Sequence, residues 1–145
     1  VLRMGKLWLF FKPDKSALNL ELWTSGSPDN KGTNQGVCLA LGGGWDGSQI
    51  RYVGSVYING VLYILYSGYD GTTLKIGMAL CTGDITDEAN YKKYALNPIL
   101  PDGGVGDPDE THAFAPCLLQ IEEEFYIWYT GVNPTDRKIC LARIP

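Results

Sequence analysis

The chain has 145 residues, 45% of them hydrophobic, with 18 Gly, 9 Tyr and 4 Trp. That is one ordinary domain's worth of chain with enough apolar material for a core, which excludes a disordered composition. A formal charge of −4 repels a phosphate backbone and argues against nucleic acid as a partner, and no run approaches the ~20 apolar residues that cross a bilayer.

The first strand-like run is "LWLFF" (7–11). "LGGGWDG" (41–47) is a Gly-rich bend; it lacks the Lys-Ser/Thr of a phosphate loop and precedes no helix. "RYVGSVYI" (51–58) and "VLYILYS" (61–67) are β-branched and aromatic runs on either side of Asn59-Gly60. Asn-Gly between two such runs predicts a tight hairpin, because both turn positions need positive φ. The chain then turns at Asp70-Gly71 into a third strand. "GDITDEANYKK" (83–93) has room for a short helical turn, and "YKKYALNPIL" (91–100) can supply a fourth strand. After "NPILPDGGVGD" (97–107) the sequence "APCLLQIEEEFYIWYTG" (115–131) reads as two more strands, with Glu122-Glu123-Glu124 as the solvated turn. Helical spacing is poor throughout, and 18 Gly with 8 Pro argue against long helices.

Cys38, Cys81, Cys117 and Cys140 form no CxxC pair and no zinc-ligand spacing. Each lies in or beside an apolar run. They read as buried free thiols in a reducing compartment, with disulfides in three connectivities or a reactive thiol as the alternatives. No signal peptide is visible and the chain opens on Val1, so location is open, with the cytoplasm as the weak preference.

"LYILYSG" (62–68) and "FYIWYTG" (125–131) are nearly the same string. With a step of 61, Leu39 falls on Leu100, Asp46 on Asp107, and Val56 on Cys117. Two extra residues in the turn, "YINGV" becoming "LQIEEEF", then change the step to 63. Tyr66 meets Tyr129, Gly68 meets Gly131, and Lys75, Ile76 and Ala79 meet Lys138, Ile139 and Ala142. A weaker copy opens the chain, with Val1 against Val56, Gly5 against Gly60, and "LWLFF" against "LYILY". A unit of about sixty residues made of strands predicts an all-β fold of four-stranded antiparallel sheets, the blades of a β-propeller. The paired aromatics then pack blade against blade. The expected division is one partial propeller domain, 1–145, with a blade remnant at 1–38, a full blade at 39–99 and a partial blade at 100–145. The front copy lacks its Asp-bearing lead-in and the back copy stops after its third strand. Open edges and apolar faces then predict a homo-oligomer or completion by further blades.

The stretches "LGGGWDGSQIRYVGSVYINGVLYILYSGYDG" (41–71), "KIGMALCTGD" (75–84), "NPILPDGGVGD" (97–107) and "APCLLQIEEEFYIWYTG" (115–131) carry a resemblance. The sequence resembles the five-bladed β-propeller glycoside hydrolase superfamily, which includes arabinanase/xylosidase-type, invertase-type and mannoside phosphorylase enzymes. The resemblance covers most of residues 39–142 and implies an incomplete five-bladed propeller with a carbohydrate ligand. It also implies acidic residues on innermost strands, two carboxyls flanking the glycosidic bond.

On that basis the catalytic candidates are Asp46, Asp107 and Glu110. Asp46 and Asp107 fall on one another and are either turn caps or funnel carboxylates; Glu110, opposite Gln49, is either a proton donor or a surface acid. Arg51, which falls on His112, can hold a sugar hydroxyl or an anion, and so can His112, the only histidine. Trp45, Tyr69 and Asp70 can hold a sugar by stacking and hydrogen bonding. "DPDETH" (107–112) lacks the calcium-loop pattern, so no metal and no cofactor is expected. The base or nucleophile Asp of the hydrolases commonly sits on the first blade's inner strand, and its place here precedes Val1. Two functions are therefore expected side by side: hydrolysis or binding of a glycan, and a noncatalytic sugar-binding or self-associating scaffold.

Overall fold

The computed structural model describes residues 2–14, 17–30 and 32–144. The fold is all-β, an incomplete propeller of antiparallel sheets. The first sheet runs in chain order: β1 (Leu2–Met4), β2 (Leu7–Pro13), β3 (Leu20–Ser25) and β4 (Thr33–Leu39). The second holds β5 (Gln49–Ile58), β6 (Val61–Tyr69), β7 (Leu74–Thr82) and β8 (Tyr91–Lys93). A 3₁₀ turn, Glu88–Asn90, leads into β8, capped by the Asp87 carboxylate accepting from Ala89 N–H. The third holds β9 (His112–Ile121), β10 (Glu124–Val132) and β11 (Arg137–Ile144). One parallel pair, Leu74 with His112, bridges the second sheet to the third. Among the described residues no helix is long and apolar enough to cross a membrane.

The hairpins follow their local chemistry. Asn59 (φ 49°) and Gly60 (φ 84°) make the predicted turn and close on the pair Ile58–Val61. Glu122 (φ 57°) takes the same first position between β9 and β10, which close on Ile121–Glu124. Both turns have two residues, so the two extra residues of the third unit do not lie in the turn. Asp70 caps the next turn as Asn133 does between β10 and β11: each side-chain oxygen accepts from backbone N–H groups two and three residues on.

Each inner strand carries a bulge at a corresponding point. Tyr52 (φ 45°) and Ala115 (φ 54°) sit in the left-handed region, and the registers shift there. At the same level Gly54 lets the two inner strands meet, since a Cβ on it would lie 2.4 Å from the Pro116 carbonyl oxygen.

Packing is blade on blade. Leu9, Leu20, Leu22 and Cys38 of the first blade bury against Ile50, Leu62, Ile64, Tyr66, Ala79 and Cys81 of the second. Alternate residues of β6 face the other way: Ser67 Oγ accepts from Ala115 N–H at 3.0 Å, and the Tyr63 ring lies 6.4 Å from Phe125. The first blade corrects one expected match. β1 and β2 close on Met4–Leu7, which puts Gly5 (φ 60°) at the place of Asn59, not Gly60. Trp8 then corresponds to Leu62 and Leu9 to Tyr63, one residue off the expected alignment, and a slip of one exchanges the two faces of a strand. Val1, expected opposite Val56, lies outside the described residues. The four thiols are free, but only Cys38 and Cys81 are buried; Cys117 is exposed and Cys140 half-buried.

Candidate functional site

Asp46 ends the Gly-rich bend before β5 and is 4% exposed. Its Oδ2 accepts from Tyr66 Oη at 3.1 Å and from Lys93 Nζ at 2.5 Å. Oδ1 lies so close over Gly42 that a Cβ there would stand 2.0 Å away. Burial, with the Asp46 charge beside it, pushes the Tyr66 hydroxyl pKa well above the ordinary tyrosine value. Asn97 completes the group: its amide N–H donates to Tyr66 Oη at 3.4 Å and to the Met78 carbonyl at 2.8 Å, and its oxygen accepts from Met78 N–H. This is a buried, mutually satisfied network that ties the bend to β6, β7 and β8. The Asp46 carboxylate, one of the three catalytic candidates, is thus held inside the blade by Tyr66 and Lys93.

The third blade repeats the arrangement with Asp109, not Asp107. Tyr129 Oη donates to Asp109 Oδ2 at 2.8 Å, and both Asp–Tyr pairs are 20 residues apart. Gly47 N–H donates to Gly44 O and Glu110 N–H to Asp107 O; Ser48 N–H donates to Tyr69 O and Thr111 N–H to Val132 O. All of these correspond at a step of 63. The step of 61 holds for Leu39 and Leu100, and it changes in the bend before Asp46 and Asp109. Hence Gln49 corresponds to His112, Gly47 to Glu110, and Gly54 to Cys117, which corrects the expected matches of Asp46 with Asp107, Gln49 with Glu110, Arg51 with His112 and Val56 with Cys117.

Asp107 is exposed and its Oδ2 accepts from Gly104 N–H at 2.8 Å, so it caps its own turn. Glu110 is half-buried, and its Oε2 accepts from Gly106 N–H at 2.8 Å. Trp45, expected to hold a sugar by stacking, is half-buried. Its ring stacks on Tyr66 at 5.6 Å and lies over Gly68 and Gly77, where a Cβ would come within 2.3 and 2.4 Å of it. Asp70 is also engaged: its carboxylate accepts from the N–H and hydroxyl groups of Thr72 and Thr73, and these bonds, the Thr73 N–H foremost, hold its pKa well below the usual carboxylate range.

Three expected residues do gather at one end of the sheets, where β5 and β9 begin. Gln49, Tyr69, Leu74 and His112 lie side by side across β5, β6, β7 and β9. His112 Nδ1 accepts from Leu74 N–H at 3.2 Å, so this imidazole helps join the second and third blades. The Arg51 guanidinium lies over the Tyr69 ring at 5.1 Å, and Tyr69 Oη donates to Gly71 O at 2.7 Å. Arg51 Nε is buried and has no hydrogen-bond partner, the one such side-chain atom among the described residues. No group of three His, Cys, Asp or Glu is placed to hold a metal, again among the described residues.

Sequence reasoning missed Lys93, Asn97, Asp109 and Tyr129. The equal Asp–Tyr spacing was the available signal, since it marks the step of 63 on both sides of the hairpin.

No family model and no curated protein matches the chain. Solved structures do. A family 117 glycoside hydrolase from the marine bacterium Zobellia galactanivorans is 14% identical with a TM-score of 0.73, over 87% of this chain and 38% of its own. An alpha-L-arabinofuranosidase from Lactobacillus brevis is 14% identical with a TM-score of 0.70, over 98% and 46%. A beta-1,2-mannobiose phosphorylase from Listeria innocua is 18% identical with a TM-score of 0.68, over 97% and 38%. The chain thus shares the propeller fold of these carbohydrate-active enzymes and spans less than half the length of each.

Proposed function

We propose that the chain is part of a carbohydrate-active propeller and holds a glycan at the end where β5 and β9 begin, with Arg51 as the anchoring donor. The carrying observation is the buried, unpartnered Nε of Arg51 beside the Tyr69 ring. An unpaired buried donor costs about 1–3 kcal/mol, and a sugar hydroxyl or uronate oxygen accepting from it would recover that once the Arg51 side chain turns outward, since Nε is closed to solvent as it stands. The likeness to glycan enzymes supports carbohydrate as the ligand class. Asp46 acts here through Tyr66 and Lys93 and does not touch the sugar.

Hydrolysis of a glycosidic bond is the second reading. Asp107, Asp109 and Glu110 crowd the bend just before His112, and a glycosidase needs two carboxyls about the bond. Glu110 is then the donor and Asp107 its companion.

Nuclear magnetic resonance titration with arabino-, manno- and uronate-containing oligosaccharides tests the first reading. Shifts at Arg51, Tyr69 and His112, lost in Arg51→Met, are expected. No shift with any sugar at millimolar concentration would sink it. Aryl glycoside turnover that vanishes in Glu110→Gln supports the second reading, and turnover unchanged in that variant removes it.

A further inference from the structure

Tyr52 stands at the bulge of β5 with φ 45°, a backbone conformation that bulky side chains seldom enter. The register of β5 on β6 skips Tyr52 and Val53. Val53 packs on the core shared with the first blade, while the Tyr52 ring lies on Phe114 of β9, with centroids 5.4 Å apart and planes at 46°. A bulge re-aims a side chain, and this one delivers a tyrosine to the surface, where it is 48% exposed. The fold does not need a ring at such a place. The corresponding bulge of β9 is held by Ala115 at φ 54°, with its N–H donating to Ser67 Oγ.

The pair lies in the seam between the second and third blades, both of them present, and belongs to neither of the faces that the first and third blades leave open. β5 and β9 close up at Gly54 and Pro116, and each ring stands two residues before that contact, toward the end where the strands begin. Donors lie beside it. Arg51 precedes Tyr52 and carries the unpartnered Nε. His112 stands two residues before Phe114, and its Nδ1 accepts from Leu74 N–H, which leaves the ring's own N–H on Nε2. An exposed aromatic face flanked by N–H donors fits a sugar ring, which offers apolar C–H groups on its face and hydroxyls at its rim.

We infer that Tyr52, backed by Phe114, is a stacking platform for a second sugar unit, so that the ligand is an oligosaccharide lying along the β5–β9 seam. Such a platform rests on the reading of Arg51 as the anchor and extends it by one sugar.

Titration with arabino-, manno- and uronate-containing saccharides of one, two and three units tests it. Affinity in the wild type should rise at least about tenfold from one unit to two or three. Tyr52→Phe should keep that rise. Tyr52→Ala and Tyr52→Leu, which lack a flat face, should abolish it and leave binding of the single sugar unchanged. Both should keep the fold by circular dichroism, since the corresponding bulge already holds an alanine. Saturation of aromatic protons should transfer to sugar C–H protons in the wild type and fall in Tyr52→Ala. Affinity that does not depend on chain length overturns the platform and leaves the Arg51 anchor standing. So does a rise that survives in Tyr52→Ala and Tyr52→Leu while Arg51→Met loses binding. A chain that binds no saccharide of any length removes both.

Discussion

Tyr66 Oη lies 3.1 Å from Asp46 Oδ2, and twenty residues likewise separate Asp109 from Tyr129, whose Oη lies 2.8 Å from Asp109 Oδ2. An acid in the bend that enters the second and the third blade is tied to a tyrosine on that blade's second strand. In the second blade Lys93 joins from the fourth strand. Asp46→Ala leaves Tyr66 and Lys93 without their acceptor and should destabilise by about 2–4 kcal/mol. Asp107→Ala, which removes an exposed turn cap, should change stability by about 1 kcal/mol. Urea midpoints of the two variants check this, and equal losses would contradict the buried network.

Gly54 is required by the approach of two blades. A methyl group there meets the Pro116 carbonyl at 2.4 Å, so Gly54→Ala should cost about 1–3 kcal/mol through overpacking. Gly44→Ala, with open space around it, is the control and should be near neutral. Thermal melts of both variants separate a packing requirement from loss of glycine as such.

The turn at Glu122 holds a β-carbon residue at φ 57°, where the second blade has Asn59-Gly60. Glu122→Asn should stabilise the chain by about 0.5 kcal/mol, because asparagine suits the left-handed region that Glu122 occupies. Gly60→Ala (φ 84°) should destabilise by about 1 kcal/mol. Opposite signs in paired thermal melts are the expected outcome.

Burial pushes the Cys38 thiol from an ordinary value of 9.0 up to about 12. Below pH 9 the thiol is protonated in both folded and unfolded chains, and its contribution is fully present. Above that the unfolded chain releases a proton that the folded chain keeps, so stability falls between pH 9 and about 12. Tyr66 and Tyr91, raised chiefly by burial, act in the same sense above the ordinary tyrosine range. Urea midpoints near about pH 8 and about pH 11 should show the fall. In the native protein iodoacetamide should label exposed Cys117 first and Cys38 last.

Much of the fold was legible because it is local. Asn59-Gly60 demands a hairpin whatever surrounds it, Asp70 binds the backbone of its own turn, and the matched aromatic strings mark strands of one kind. The 3₁₀ turn before Tyr91 and the short fourth strand fall within the stretches that allowed them. The candidate site was legible only in part. Arg51, Tyr69 and His112 reach one end of the sheets, while Asp46 is buried and half-buried Trp45 stacks on Tyr66.

The sequence alone determined the strands and tight turns, since a residue's φ preference and the alternation of apolar side chains act over a few positions. Which aspartate answers to Asp46 was decided by tertiary structure. Asp107 and Asp109 both follow a glycine-rich bend, and nothing within the bend tells them apart. The choice falls to Tyr129, a hydroxyl brought across from the neighbouring strand, and its bond to Asp109 exists only once β9 and β10 have paired.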